Sequence, residues 1–148
     1  MNTAKLRAYI GAGLLALTMG ATPAQAVTPN PILYLVGSEY YTANGQNFVR
    51  YRYDVFNKDQ YPAEMFAPAP GLPPCGSNTN SSRTWVDFFE NRTNRRIYGF
   101  CALGSPANLG SIWFALPEGQ LPPSYVYIKI IDRQTNTTYQ SNLADTTN

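Results

Sequence analysis

Histidine is absent from the 148 residues, and cysteine occurs only twice. The first absence removes Ser-His-Asp and Cys-His nucleophile systems and every histidine-ligated metal site. Two cysteines cannot furnish a thiolate set for zinc. Charge is also sparse, at 14% of residues. No Asp-x-Asp-x-Asp-Gly calcium loop and no glycine-rich phosphate loop occurs. The nine carboxylates show no spacing that would set two of them across a cleft, as glycoside hydrolysis requires. Asp54 and Glu90 read as residues on the wet face of strands. A Ser–Lys dyad through Lys58 or Lys129 is unsupported by any convergent polar cluster. The expectation is a non-enzyme with no cofactor and no metal.

Long apolar runs are missing too, apart from one at the start. Lys5 and Arg7 precede an apolar run over 10–19, too short for the ~20 residues of a bilayer span. Ala24-Gln25-Ala26 follows as a small-x-small site. This is the pattern of a secretory signal peptide over 1–26, cleaved after Ala26. Lys5 and Arg7 account for the whole formal excess of +2, so the chain from Val27 onward carries equal numbers of basic and acidic residues. No nucleic-acid partner is expected from that balance. The expected destination is export, to the periplasm or the extracellular space, with no transmembrane segment after cleavage.

What is present is β-pattern and turn chemistry. Over 47–57 Val49, Tyr51, Tyr53 and Val55 alternate with Arg50, Arg52 and Asp54, a period of two that marks a half-buried strand. Further strands are expected over 32–36, extending towards Tyr40, and over 84–90, 97–103, 111–116, 124–132 and 137–141. Asn44-Gly45, residues 91–94 and residues 134–136 supply the turns between them. Residues 58–83 are rich in proline, glycine, serine and asparagine. One helical turn is expected over 61–66 and an extended polyproline run over 68–74. A connection that long is uncommon in a small domain unless it is functional or pinned. Cys75 supplies a pin: in an exported chain it is expected to bond to Cys101, closing a loop of about 27 residues and contributing roughly 3.5 kcal/mol in the chain-entropy model. The fold class expected is all-β, an antiparallel sandwich of about seven strands over 27–143 with one disulfide and a disordered tail over 144–148.

The strand over 49–55, the Trp85 strand and the closing hairpin YVYIKIIDRQTNTTYQS resemble those of immunoglobulin-like and fibronectin type III-like sandwiches. The cysteine placement departs from both: an immunoglobulin domain bridges its second and sixth strands, whereas Cys75 lies in a loop. The segment YPAEMFAPAPGLPPCGSNTNSSRTWVDFF resembles a signature of small exported bacterial proteins. The resemblance implies a fold and export, not an activity.

The candidate site is the hairpin of residues 84–103. With an even-length turn over 91–94, Val86 opposes Cys101, Phe88 opposes Gly99 and Glu90 opposes Ile97. One face then carries Val86, Phe88, Ile97 and Cys101 into the core. The other gathers Trp85, Phe89, Tyr98 and Phe100 around Asp87, where alternation would place polar residues. Either the proline-rich loop covers these rings, or they form a binding face with Asp87 and Arg83 as polar fixings. Arg92, Arg95 and Arg96 make the hairpin tip basic; the first reading is a solvated tip paired to Glu90, the second a site for phosphate, sulfated glycan or an acidic surface. Asn80-Ser81-Ser82, Asn91-Arg92-Thr93 and Asn136-Thr137-Thr138 match the N-glycosylation pattern, but in a chain with a bacterial-looking leader they read as polar turns. Three functions remain open from the sequence. The first is a binding module for glycan or an envelope protein. The others are a structural or assembly protein pairing through a sheet edge, and an inhibitor-like presenter of the proline-rich loop.

Overall fold

A computed structural model describes residues 26–74, 83–101 and 104–147. The fold is all-β, with eight strands in two antiparallel sheets arranged as a sandwich. A three-stranded sheet has the order β1-β2-β5, from Leu33–Ala43, Gln46–Val55 and Ile112–Pro117. The second sheet has the order β4-β3-β6-β7, from Arg96–Phe100, Thr84–Glu90, Tyr125–Asp132 and Thr137–Gln140. β8, Ala144–Asp145, pairs with β6 beyond the end of β7.

The alternation read from the sequence is the reason these segments are strands. Tyr51, Tyr53 and Val55 of β2 are buried, as are Val86 and Phe88 of β3 and Val126, Ile128 and Ile130 of β6. The sheets meet at an aromatic trio. Tyr53 and Phe114 stack within the three-stranded sheet at 5.9 Å between ring centroids, and Phe88 meets them at 5.3 and 5.4 Å. Burial also pushes the Tyr53 phenol well above its ordinary ionisation range, and its hydroxyl donates to the Asp145 carbonyl. Asn44 and Gly45 turn β1 into β2 with positive φ of 51° and 74°, as an Asn-Gly hairpin requires.

β1 continues past Val36 and Tyr40 to Ala43, where a bulge between Leu35 and Gly37 lets the strand change face on the way. Two expectations are corrected. The chain end expected to be disordered over 144–148 is ordered through residue 147: Ala144 and Thr146 are buried, and Thr146 Oγ1 donates to the Pro123 carbonyl at 2.5 Å. Two residues of ladder and one buried hydroxyl hold a segment whose composition alone signals nothing. The run over 68–74 is not uniformly extended, since the Leu72 N–H donates to the Ala69 carbonyl at 3.0 Å and closes a turn.

The long connection after β2 is pinned by its own residues. Short 3-10 turns at Lys58–Gln60 and Ala63–Phe66 replace the single expected helical turn. They bury Tyr61, Met65 and Phe66. Thr84 Oγ1 donates to the Met65 carbonyl, and Arg83 Nη1 to that of Glu64. Arg133 Nη2 donates to the Pro73 carbonyl at 2.6 Å. Cys75 lies outside the described residues. Cys101, just after β4, is not a free thiol.

Candidate functional site

The central hairpin has a different register from the one the sequence suggests. The Glu90 N–H donates to the Arg95 carbonyl, and Asn94 takes a positive φ of 55°, closing the turn over 91–94. A bulge then falls at Ile97. Val86 opposes Phe100, Asp87 opposes Gly99 and Phe88 opposes Tyr98. That differs by one residue from the expected pairing, and one residue exchanges the faces of β4.

The four aromatics therefore do not form one face. Trp85, Asp87 and Phe89 lie on the outer face of the five-stranded sheet. Tyr98 and Phe100 lie on the side of Val86 and Phe88, at the sheet's edge. There they reach Trp113 of β5: Tyr98 stacks on it at 5.4 Å and 21°, and Phe100 meets it edge-on at 5.8 Å. This cluster joins the margins of the two sheets. Arg50 continues it, with its guanidinium 5.4 Å from the Trp113 centroid and 5.2 Å from that of Tyr41.

Arg83 is not a free polar fixing. Its Nε and Nη2 hold both oxygens of Asp132 at 2.8 and 2.6 Å. The Arg83 side chain is 19% exposed and that of Asp132 only 4%. The guanidinium, helped by the Thr135 hydroxyl and the Gln134 N–H, holds the Asp132 carboxyl below the usual carboxylate range despite its burial. This pair is a clamp at the start of β3 and the end of β6.

The outer face of the five-stranded sheet combines rings with cations. Arg133 lies 4.4 Å from the Trp85 ring centroid. Lys129 Nζ lies 4.8 Å from the Phe89 centroid and 6.0 Å from that of Tyr127. Phe89 and Tyr127 stack on each other at 5.3 Å and 12°. Asp87 faces Lys129 across the ladder, but its carboxylate is held by Arg96 Nε at 2.8 Å. Gly99 permits this: a Cβ there would collide with both the Arg96 guanidinium and the Asp87 carboxylate. Among the described residues, Lys129 is left without a carboxylate partner.

No protein family, curated protein or solved structure matches the chain.

Two consequences follow from the geometry. Trp85, Phe89 and Tyr127 are each in contact with a cation or another ring, so on these three the open ring face needed for a neutral sugar to stack flat is largely taken. The Trp85 Nε1–H is buried, with no hydrogen-bond partner among the described residues, so it offers no donor to a ligand. Sequence reasoning found Trp85, Phe89 and Asp87 but missed Tyr127, Lys129 and Arg133. Their period of two along β6 was visible, but their side-by-side placement with β3 was not, because β3 and β6 are far apart in the chain.

The hairpin tip borders a cleft of about 450 Å³. Ile97, Leu116 and Leu121 form its apolar side, and Arg92 and Arg95 its cationic rim. Arg95 reaches Glu90 only loosely, at 3.7 Å. Among the described residues, no three Cys, Asp or Glu side chains gather as a metal site, and no helix is long and apolar enough to cross a membrane.

Proposed function

We propose that the protein is an exported, non-catalytic binding module whose ligand is an acidic glycan of the cell envelope. The observation that carries this reading is Lys129. Its ammonium is held over Phe89 and Tyr127, while the carboxylate across the ladder is occupied by Arg96. A cation fixed on a ring, with no carboxylate partner among the described residues, favours an anion from solution. Arg133 and Arg96 lie on the same sheet, and Arg92 and Arg95 follow at the end of the β3–β4 hairpin. An extended polyanion can span such a row, whereas a small neutral sugar finds few open ring faces. The site expected from sequence is thus reassigned: Trp85, Asp87 and Phe89 stay as its floor, while Tyr98, Phe100 and Arg83 serve the fold.

This reading includes export directed by the leader over 1–26 and an immunoglobulin-like or fibronectin type III-like type for the sandwich. It also includes a Cys75–Cys101 bond that ties the proline-rich loop beside the hairpin. Non-reducing peptide mapping of the exported protein should recover the two cysteines linked, and two alkylatable thiols would reject the bond. Binding is tested by passing the exported protein over immobilised sulfated and uronic-acid glycans, with a neutral glucan as control. Retention on the acidic supports that Lys129→Ala weakens supports the reading. Equal retention on all supports contradicts it.

A further inference from the structure

A sandwich of two open sheets has four edge strands, and native proteins blunt exposed edges to prevent unwanted pairing. Three of the four edges are short or interrupted. β4 has five residues and begins with Arg96, and its neighbour β5 has six and ends at Pro117. The far edge of the five-stranded sheet is broken between β7 and β8, where the Ser141 hydroxyl replaces a ladder group by accepting from the Ile128 N–H at 2.9 Å.

β1 is different. It is eleven residues long, and among the described residues it pairs only with β2. Its first residue is already closed on the free side: the Leu33 N–H donates to Asn142 Oδ1 at 2.8 Å, and Asn142 Nδ2 donates back to the Leu33 carbonyl at 2.9 Å. A side-chain amide thus stands in for a neighbouring strand at that one position. From Leu35 to Ala43 nothing described replaces it. That stretch is roughly 30 Å of unpaired edge at ~3.3 Å per residue. It contains no proline and no lysine. Its single charge, Glu39, is held by Arg50 at 2.6 Å and so is already neutralised. Val36 and Tyr40 project from it 49% and 76% exposed.

We infer that β1 pairs antiparallel with β1 of a second copy of this chain, joining the two three-stranded sheets into one continuous sheet. Every ladder in the fold is antiparallel, and antiparallel pairing of identical edges about a two-fold axis satisfies both with the same set of groups. A second copy supplies an edge of matched length, with the bulge between Leu35 and Gly37 as its one interruption. The balance of charge from Val27 onward leaves two copies with little mutual repulsion. The pairing goes beyond the glycan reading and uses the other sheet, so the two can fail separately.

The test is sedimentation equilibrium of the purified exported chain and of two variants. The wild type should be a concentration-dependent dimer. Val36→Lys with Tyr40→Lys places cations along the edge at exposed positions, and it should give a monomer that still unfolds cooperatively, with the midpoint of wild type diluted below its dissociation constant. Phe56→Ser removes an exposed ring, 72% accessible, that lies opposite Ile32 beyond the free stretch, and it should leave the dimer intact. A wild type that stays monomeric up to its solubility limit overturns the inference. So does a dimer that the double lysine variant preserves, or one that Phe56→Ser dissolves. If the double variant unfolds, amide exchange of wild-type β1 decides: protection over 35–43 should rise with protein concentration, and its constancy would reject the pairing.

Discussion

The Arg133 guanidinium lies 4.4 Å from the Trp85 ring centroid, while the indole Nε1–H of the same ring is buried with no partner among the described residues. One side of the tryptophan is thus stabilised and another penalised. Trp85→Phe keeps an aromatic surface for Arg133 and removes the unsatisfied donor, whose desolvation costs about 1–3 kcal/mol. The lost indole packing offsets part of that gain. Stability in denaturant unfolding should therefore change by less than about 1 kcal/mol. Trp85→Ala removes the ring from a half-buried position and should cost about 3 kcal/mol. A large loss for the phenylalanine variant would show that the N–H is in fact satisfied.

The clamp between Arg83 and Asp132 joins β3 to β6 where the long loop re-enters the sheet. Asp132→Asn leaves a largely buried guanidinium without its charge partner, a change that typically costs about 3–5 kcal/mol. The pH dependence has a definite sign. The Asp132 carboxyl titrates lower in the folded chain than in the unfolded one. Its contribution is present in full above the ordinary carboxylate value of about 4, and it fades as pH falls through the lowered folded value. Acid unfolding of wild type should be steeper in that window than unfolding of Asp132→Asn. Parallel acid curves would contradict the assignment.

Alkaline pH acts through two buried phenols. Burial raises both Tyr53 and Tyr61 well above the ordinary tyrosine value, and the Tyr61 hydroxyl donates to the Pro29 carbonyl at 2.7 Å. The unfolded chain ionises these groups near pH 10 while the folded chain does not, so stability falls as pH rises beyond about 10. Tyr53→Phe and Tyr61→Phe should each flatten that fall in thermal melts between pH 9 and 11. An unchanged slope in both would mean that the phenols ionise in the folded protein.

Much of the fold was legible because burial on one face writes a period of two into a strand. Tyr51, Tyr53 and Val55 announced β2, and Val126, Ile128 and Ile130 announced β6. β8 was not legible, because Ala144 and Thr146 are ordinary tail residues until Pro123 and β6 come beside them. The candidate site was half legible. Trp85, Asp87 and Phe89 could be assigned to one face from β3 alone. Tyr98 and Phe100 could not, since their face depends on a positive φ at Asn94 and a bulge at Ile97, each of which shifts register without changing composition. Lys129 and Arg133 needed the β3–β6 pairing, a contact between distant segments that no local pattern encodes.

Asn142 offers a test of how the sheets are tied at the opening of β1. Its amide both accepts from and donates to the Leu33 backbone, and Asn57 does the same kind of work beside it, accepting from Ile32 and donating to the Asn30 carbonyl. Asn142→Ala leaves Leu33 without either bond and should cost about 1–3 kcal/mol. The Leu33 amide should also lose its protection against hydrogen exchange. Retained protection at Leu33 would show that a different group caps the edge.

The central claim is that anionic ligands are held by cations set on the rings of the five-stranded sheet. Its most direct test is the salt dependence of binding to a sulfated glycan by titration calorimetry, for wild type and for Lys129→Gln. Charge-driven binding should be detectable at low salt and weaken steadily as salt is added, because screening removes the attraction. Lys129→Gln should bind more weakly at low salt, with a shallower salt dependence and an unchanged melting temperature. Equal affinity and equal salt dependence for the two proteins, or no binding by wild type at low salt, would contradict the claim.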